Sequence, residues 1–381
     1  MVYAREIGRL GKMARHGFDG ADIDTSRRHF LGSVGAGAVL AGAGAAALSR
    51  GVRAGASGGS AMSMPMRMAP LREGVHTVAA DPARIPPPIH RSHSIHHEIA
   101  LEARELRASV ADGSEFVFMT WNGQIPGPMI RVRQGDTVTL TVHNAATNTR
   151  PHCIDIHAIY GSTGGCMATL VPPGGTRREF FKCTYPGAFV YHCGVPYNAD
   201  EHISCGMFGM ILVEPHEGLP AVDREFYLGQ HELYTREPFG ASGLLTFDYE
   251  AMGRADANFV LFNAMVHGLT SGGIGAMRAR VGETVRVFMV NGGPNLASSF
   301  HPIGNIWKRC WPQGALANSP LGYVQTQPVA PGSCFVGEME LPVPGSINLV
   351  DHALSRVARK GLLAEIVVDG AADPSLFREL S

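Results

Sequence analysis

Tyr191-His192-Cys193 is followed by His202, nine residues beyond the cysteine, and by Met207, five further on. A cysteine, a histidine and a methionine closing one short loop are the ligand types of a blue-copper electron-transfer site, which adds a second imidazole. His152, upstream, is placed to supply it. Neighbouring side chains on a strand point to opposite faces. If Cys193 binds one metal, His192 points away and can bind another. His152 and His157 are five apart, an odd offset that separates them on an extended chain. His152 then joins Cys193, and His157 joins His192.

These residues need strands to hold them, and strand signals dominate from Glu98 onward. Thr137-Val138-Thr139-Leu140-Thr141-Val142 alternates with period two. Phe189-Val190-Tyr191 and Met210-Ile211-Leu212-Val213 are short strand-like runs. A weak internal repeat runs through the chain. Arg131-Val132-Arg133-Gln134-Gly135-Asp136-Thr137-Val138 is echoed by Arg278-Ala279-Arg280-Val281-Gly282-Glu283-Thr284-Val285. Pro186-Gly187 before His192 is echoed by Pro344-Gly345 before His352, and Gly209 to Val213 by Gly361 to Val367. A duplicated all-β unit explains these matches.

The copies differ at the loop. His192 corresponds to His352, but Cys193 corresponds to Ala353, so the second copy has no thiolate. A second site of His157, His192 and His352 is expected, all imidazole with an open position, which suits catalysis over structure. Copper and zinc both accept such a set, and the adjoining electron-transfer site argues for redox copper. Asp155, between His152 and His157, is a candidate proton donor to a bound oxyanion. His301 is the other, standing in the second copy about where His152 stands in the first.

The chain has 381 residues and a formal net charge of -1, which gives no polybasic surface for nucleic acid or membrane. Glycine (47) and proline (25) are abundant, as short strands joined by many turns require. The seven cysteines lack the regular spacings of a small disulfide framework, so Cys193 reads as a metal thiolate and the others mostly as small buried residues. Ser26-Arg27-Arg28-His29-Phe30-Leu31 and the Gly/Ala run after it resemble a twin-arginine export signal, implying a periplasmic protein. The expected layout is a signal segment over 1–56 and a Met/Pro/His-rich linker over 57–97. Domain 1 follows over 98–216, domain 2 over 217–369, and a tail over 370–381. Met62, Met64, Met66 and Met68 in the linker suit soft Cu(I), although a disordered Met/Ser/Pro segment explains them as well. His90, His93, His96 and His97 read as a polar lead-in to the first strand.

From about Phe118 to Asp369 the chain resembles the two-domain copper nitrite reductases. The matching stretches are Trp121-Asn122-Gly123-Gln124-Ile125-Pro126-Gly127-Pro128, His152 through His157, Gly187 through Cys193, and Gly206-Met207-Phe208-Gly209. They continue with Asn291 through Leu296, Ser298-Ser299-Phe300-His301, and Asp351-His352. The resemblance implies an all-β fold of two tandem cupredoxin-like Greek-key domains and two coppers per subunit. Type 1 copper falls to His152, Cys193, His202 and Met207. Type 2 copper falls to His157 and His192 of one subunit and His352 of the next, in a homotrimer. Asp155 and His301 match the family's catalytic pair, and Ile303 the residue over the substrate copper. The implied reaction is reduction of nitrite to nitric oxide and water, with electrons arriving from a small cupredoxin or cytochrome c and crossing Cys193-His192.

Two other readings stand beside it. A laccase-like two-domain multicopper oxidase needs His-x-His pairs, but Gly194 follows Cys193 and the core has no such pair. A type 1 electron carrier needs neither His352 nor Asp155. The chain also departs from the family. Cys153 replaces the usual Asn and is expected to be a weaker hydrogen-bond donor to the copper thiolate. Ile159-Tyr160 and Cys166-Met167 replace smaller residues in the pocket-side loop, and Cys205 precedes Gly206-Met207.

Overall fold

The computed structural model describes residues 76–380. The twin-arginine segment and Met62 to Met68 lie outside the described residues. Two units with one strand plan follow each other along the chain, each cupredoxin-like.

In the first unit, β1 (His96–Ala111), β2 (Ser114–Trp121), β3 (Ile130–Arg133) and β4 (Thr137–Asn144) come before the site. β5 (Asp155–Ile156), β6 (Thr176–Lys182), β7 (Gly187–His192) and β8 (Phe208–Glu214) surround it. One sheet runs β2-β1-β4-β6, with the short strand Gly243–Leu244 added at its β2 edge, and the other runs β3-β8-β7-β5. Period-two patterning decides which side chains face inward: in β4, Val138, Leu140 and Val142 are buried while the threonines between them are half-exposed. β8 is buried along its whole length, as its nearly unbroken apolar run requires.

The second unit repeats the plan. Arg224–Leu233 runs parallel to Thr284–Gly293, as β1 does to β4. Met277–Arg280 runs parallel to Ala364–Asp369, as β3 does to β8. Gly345–Asp351 is antiparallel to Ala364–Asp369, as β7 is to β8. The repeated Arg-x-Gly-acid-Thr motif has a structural meaning. Asp136 accepts the Arg133 N–H at 2.8 Å and pairs with Arg91; Glu283 accepts the Arg280 N–H at 2.8 Å and pairs with Arg224.

Trp121, Tyr191 and Phe208 centre one hydrophobic core, which reaches Phe288 and Val336 of the second unit; Phe300, Trp307 and Phe335 centre another. A buried ion network also links the units, with Arg131 on Glu214 and Glu225, and Arg286 on Glu225 and Glu338. Each buried charge is matched, which such burial demands. No helix among the described residues is long and apolar enough to cross a membrane.

Candidate metal centres

The structure brings His152, Cys193 and His202 together in a buried group whose ligand atoms lie within 4.8 Å of one another. The His202 Nδ1 is 3.3 Å from the Cys193 Sγ, the His152 Nδ1 is 3.8 Å from it, and the two nitrogens are 3.2 Å apart. His152 is fixed by backbone bonds to Val171 in both directions, and His202 rides the short helix Ala199–Ser204. Met207 is fully buried. Its N–H donates to the His202 carbonyl and its carbonyl accepts the Cys193 N–H, so the loop is laced shut around the group.

The electrostatics suit a cation. Burial pushes the Cys193 thiol up to about 11, against a smaller pull from the Cys153 and Val195 N–H groups. Burial, then the neighbouring His152, takes His202 down to about 4. The Cys193 thiol is thus crowded by imidazole nitrogens in a dry site, where the sulfur becomes a thiolate only if a cation replaces its proton. A thiolate with two imidazoles, and a buried methionine on the same loop, is a donor set that copper fits.

Glu105 is a partner that no spacing in the sequence signals. It comes from β1 to place a carboxylate oxygen 3.4 Å from the His152 Nε2, and is itself held by the Thr149 hydroxyl and by the Thr149 and Arg150 N–H groups. Burial pushes its carboxyl up, but the bonds from His152, Thr149 and Arg150 outweigh this and bring it down to about 2. A carboxylate on the far nitrogen of a ligating imidazole orients the ring.

On the other side of the strand end, His157 and His192 meet with their Nε2 atoms 3.0 Å apart. Asp155 is the register partner of His192 and its carboxylate completes this second group. The His192 Nδ1 donates to the Cys193 carbonyl at 3.1 Å, which leaves Nε2 as its lone-pair side. Burial lowers the His192 pKa, and the His157 charge lowers it further. Two imidazole nitrogens at this spacing need a shared proton or a cation between them. His157 is exposed and Asp155 and His192 are half-buried, so this group faces outward.

His352 does not lie in that group. It packs against His301, ring centroids 5.2 Å apart, with its N–H on the Ser299 carbonyl. The His301 Nδ1 donates to the Gln325 carbonyl at 2.7 Å with the Thr326 hydroxyl 3.3 Å away, so Nε2 is its free nitrogen. Ile303, on the same strand, is 40% exposed. His301, Ile303 and His352 therefore form one surface of the second unit, separate from His157 and His192.

Two expectations are corrected. Cys153 and Cys166 form a disulfide, so they are not isolated small buried residues; the other five cysteines are free and buried. Their separation of 13 residues gave no signal without the fold. Cys153 also has no thiol hydrogen to give Cys193, and its backbone N–H is the donor instead. The pair fastens the residue after His152 to the loop that carries the exposed Tyr160 and Met167.

Residues 102–218 match the multicopper oxidase family model. The chain is 40% identical over 311 residues to a copper-containing nitrite reductase of Neisseria meningitidis serogroup B, covering 81% of this chain and 77% of that one. A copper-containing nitrite reductase of Alcaligenes xylosoxydans is 32% identical over 335 residues, covering 81% of this chain and 98% of that one. Among solved structures, the copper nitrite reductase of Nitrosomonas europaea superposes with a TM-score of 0.64 at 33% identity, covering 73% of this chain and 96% of that one.

Proposed function

The chain belongs to the copper-containing nitrite reductases and is an oxidoreductase that reduces nitrite; on that premise we propose a division of labour between its two donor groups. His152, Cys193, His202 and Met207 hold a type 1 copper. His157 and His192 hold a type 2 copper with the partner subunit's His352, in a homotrimer with two coppers per subunit. The observation that carries this reading is that the two groups stand back to back on adjacent residues, Cys193 facing one and His192 the other. Bound copper would supply one-electron redox chemistry and, at the imidazole site, a Lewis acid for nitrite.

The chain supplies the rest. The His192–Cys193 peptide, closed by its own Nδ1–H to carbonyl bond, joins the two groups covalently. Asp155, beside both imidazoles, presents a carboxyl to the nitrite oxygen that leaves as water. His301, its tautomer fixed by Gln325, offers Nε2 to the same proton network, and Ile303 limits how nitrite lies. The imidazole group faces outward and the His301–His352 surface stands apart from it, which supports completion by a second copy.

A small cupredoxin or cytochrome c is the proposed electron donor. The domain division at 216/217 and periplasmic export through Arg27-Arg28 belong to the same reading. A multicopper oxidase is the more distant alternative. Copper-loaded protein with an artificial reductant is expected to release nitric oxide from nitrite and to contain two coppers per chain. Oxygen-dependent phenol oxidation without nitrite turnover would overturn the reading. Asp155→Asn is expected to cut nitrite turnover about 100-fold while leaving the type 1 absorption intact.

A further inference from the structure

The helix Ala199–Ser204, which carries His202, has six residues. A helix that short has little stability of its own and takes its place from what packs on it. Its last carbonyls lack partners inside the helix and need them elsewhere. The first unit holds the segment on either side of Ser204. Buried Glu201 pairs with Arg150, and the Cys205 carbonyl accepts the Met119 N–H at 2.9 Å. Ser204 itself is held by the second unit.

The strand Arg224–Leu233 brings two adjacent residues to Ser204. The Ser204 hydroxyl donates to the Glu232 carbonyl at 2.7 Å. The Ser204 carbonyl lies 2.9 Å from the His231 Nδ1. A carbonyl only accepts, so His231 carries its proton on Nδ1. Its Nε2 is buried without a hydrogen-bond partner, and the ring lies against Phe118 and Phe208, with centroids 6.5 and 5.6 Å away. Ser204 and His231 are both fully buried. Burial takes the His231 imidazole down to about 4, so the ring stays neutral near neutral pH. An apolar ring would fill the same space without stranding a polar nitrogen. What a histidine adds here is the bond to Ser204.

We propose that His231 is a positioning residue for His202: through one imidazole, the second unit sets where a metal ligand of the first unit stands. The proposal rests on His152, Cys193 and His202 holding a type 1 copper. His231 acts through Ser204, two residues from His202. The Met207 N–H returns to the His202 carbonyl at 2.9 Å, so a displaced helix end carries the closing loop with it. The His202 Nδ1 already stands 3.3 Å from the Cys193 Sγ. Metal–ligand distances tolerate shifts of only about 0.2 Å, so a small displacement is felt in affinity and spectrum.

The test compares the parent with His231→Phe, which keeps a ring and loses the donor, and with His231→Asn, whose amide N–H stands about where Nδ1–H stands. Leu228→Ala is the control for lost stability, since Leu228 is on the same strand but in the other core. On copper-free protein, His231→Phe is expected to speed amide exchange of residues 202–207 about tenfold. On copper-loaded protein it is expected to bind copper at Cys193 about tenfold more weakly and to change the intensity ratio of the thiolate-to-copper absorption bands. His231→Asn restores the affinity to within about threefold of the parent, and Leu228→Ala leaves the spectrum as in the parent.

The inference falls if His231→Phe keeps the parent spectrum and an affinity within about twofold, or if Leu228→Ala shifts the spectrum as much. Nitrogen-15 NMR of the parent is expected to show His231 neutral, with a slowly exchanging proton on Nδ1. A proton on Nε2 instead overturns the inference even if no variant folds. A parent without thiolate-to-copper absorption removes the copper assignment and this inference with it; a parent that has it, beside an unaffected His231→Phe, removes the inference alone.

Discussion

The strand ends at His192 and at His352 are the same place in two copies of one fold, and only the first gathers a thiol and two imidazoles. Each follows a strand antiparallel to the unit's closing strand. After His192 comes Cys193, buried against His152 and His202. After His352 comes Ala353, and the nearby interior is organised by an ion pair. Asp351 is buried, accepts the Ser299 and Ala353 N–H groups at 2.9 Å each, and pairs with Arg356. The first copy leaves a thiol and two imidazoles facing one another in its interior. The second builds its own fixed cation, Arg356, into the strand end, and turns its histidine toward His301 instead. A duplicated scaffold can thus keep its backbone and exchange a cluster of thiol and imidazole groups for an ion pair.

Five substitutions break or sharpen this contrast. Cys193→Ala makes the first strand end read like the second; it is expected to abolish the type 1 absorption and lower nitrite turnover by at least on the order of 1000-fold, measured by visible spectroscopy and nitric oxide release. Arg356→Leu removes the cation on which the second strand end depends. Asp351 is left as an uncompensated buried charge, and a loss of about 3 kcal/mol in denaturant unfolding is expected.

The paired turns give a smaller effect. Burial alone would push Asp136 up, but Arg91, the Arg133 and Ile95 N–H groups and His97 outweigh it and bring the carboxyl down to about 2. A carboxyl lowered on folding stabilises fully above its unfolded value, near 3.8, and that stability is lost as pH falls toward about 2. Asp136→Asn should therefore cost on the order of 2 kcal/mol near neutral pH and make unfolding less acid-sensitive in that window. Glu283→Gln, at the half-buried counterpart, should cost less; an equal or larger loss would refute the comparison. Ala353→Cys is expected to change least. It adds a sulfur beside His352 but no converging imidazole pair, so copper content and visible spectrum should stay as in the parent.

Much of this was legible in the sequence because it depends on local rules. The turn motif at Asp136 and Glu283, the strand alternation, and the opposite facing of His192 and Cys193 follow from spacings of a few residues. Glu105 was not legible, since nothing near it in sequence marks it as reaching His152; only the fold, which sets β1 against the loop at Asn148 to Arg150, carries it there. The Cys153–Cys166 bond needed the loop to fold back, and a spacing rule read from small disulfide-rich proteins misses a single bond inside a large core. His352 was legible as the repeat counterpart of His192, whereas its packing against His301 depends on the tertiary fold.

The disulfide has a consequence for how the protein matures. Cys153 and Cys166 are oxidised, while Cys193, which takes a hydrogen bond from the Cys153 N–H, remains a free thiol. In an unfolded chain these three sulfurs are chemically alike, and thiolate attack would mix their pairings. In the folded chain Cys193 is fully buried and its thiol is raised to about 11, so it forms little thiolate and meets no oxidant. Correct sorting of sulfurs therefore depends on order: the loop around Cys193 must close before oxidation is complete. A cell making this protein has to oxidise two sulfurs of one small region while leaving the third, beside them, reduced.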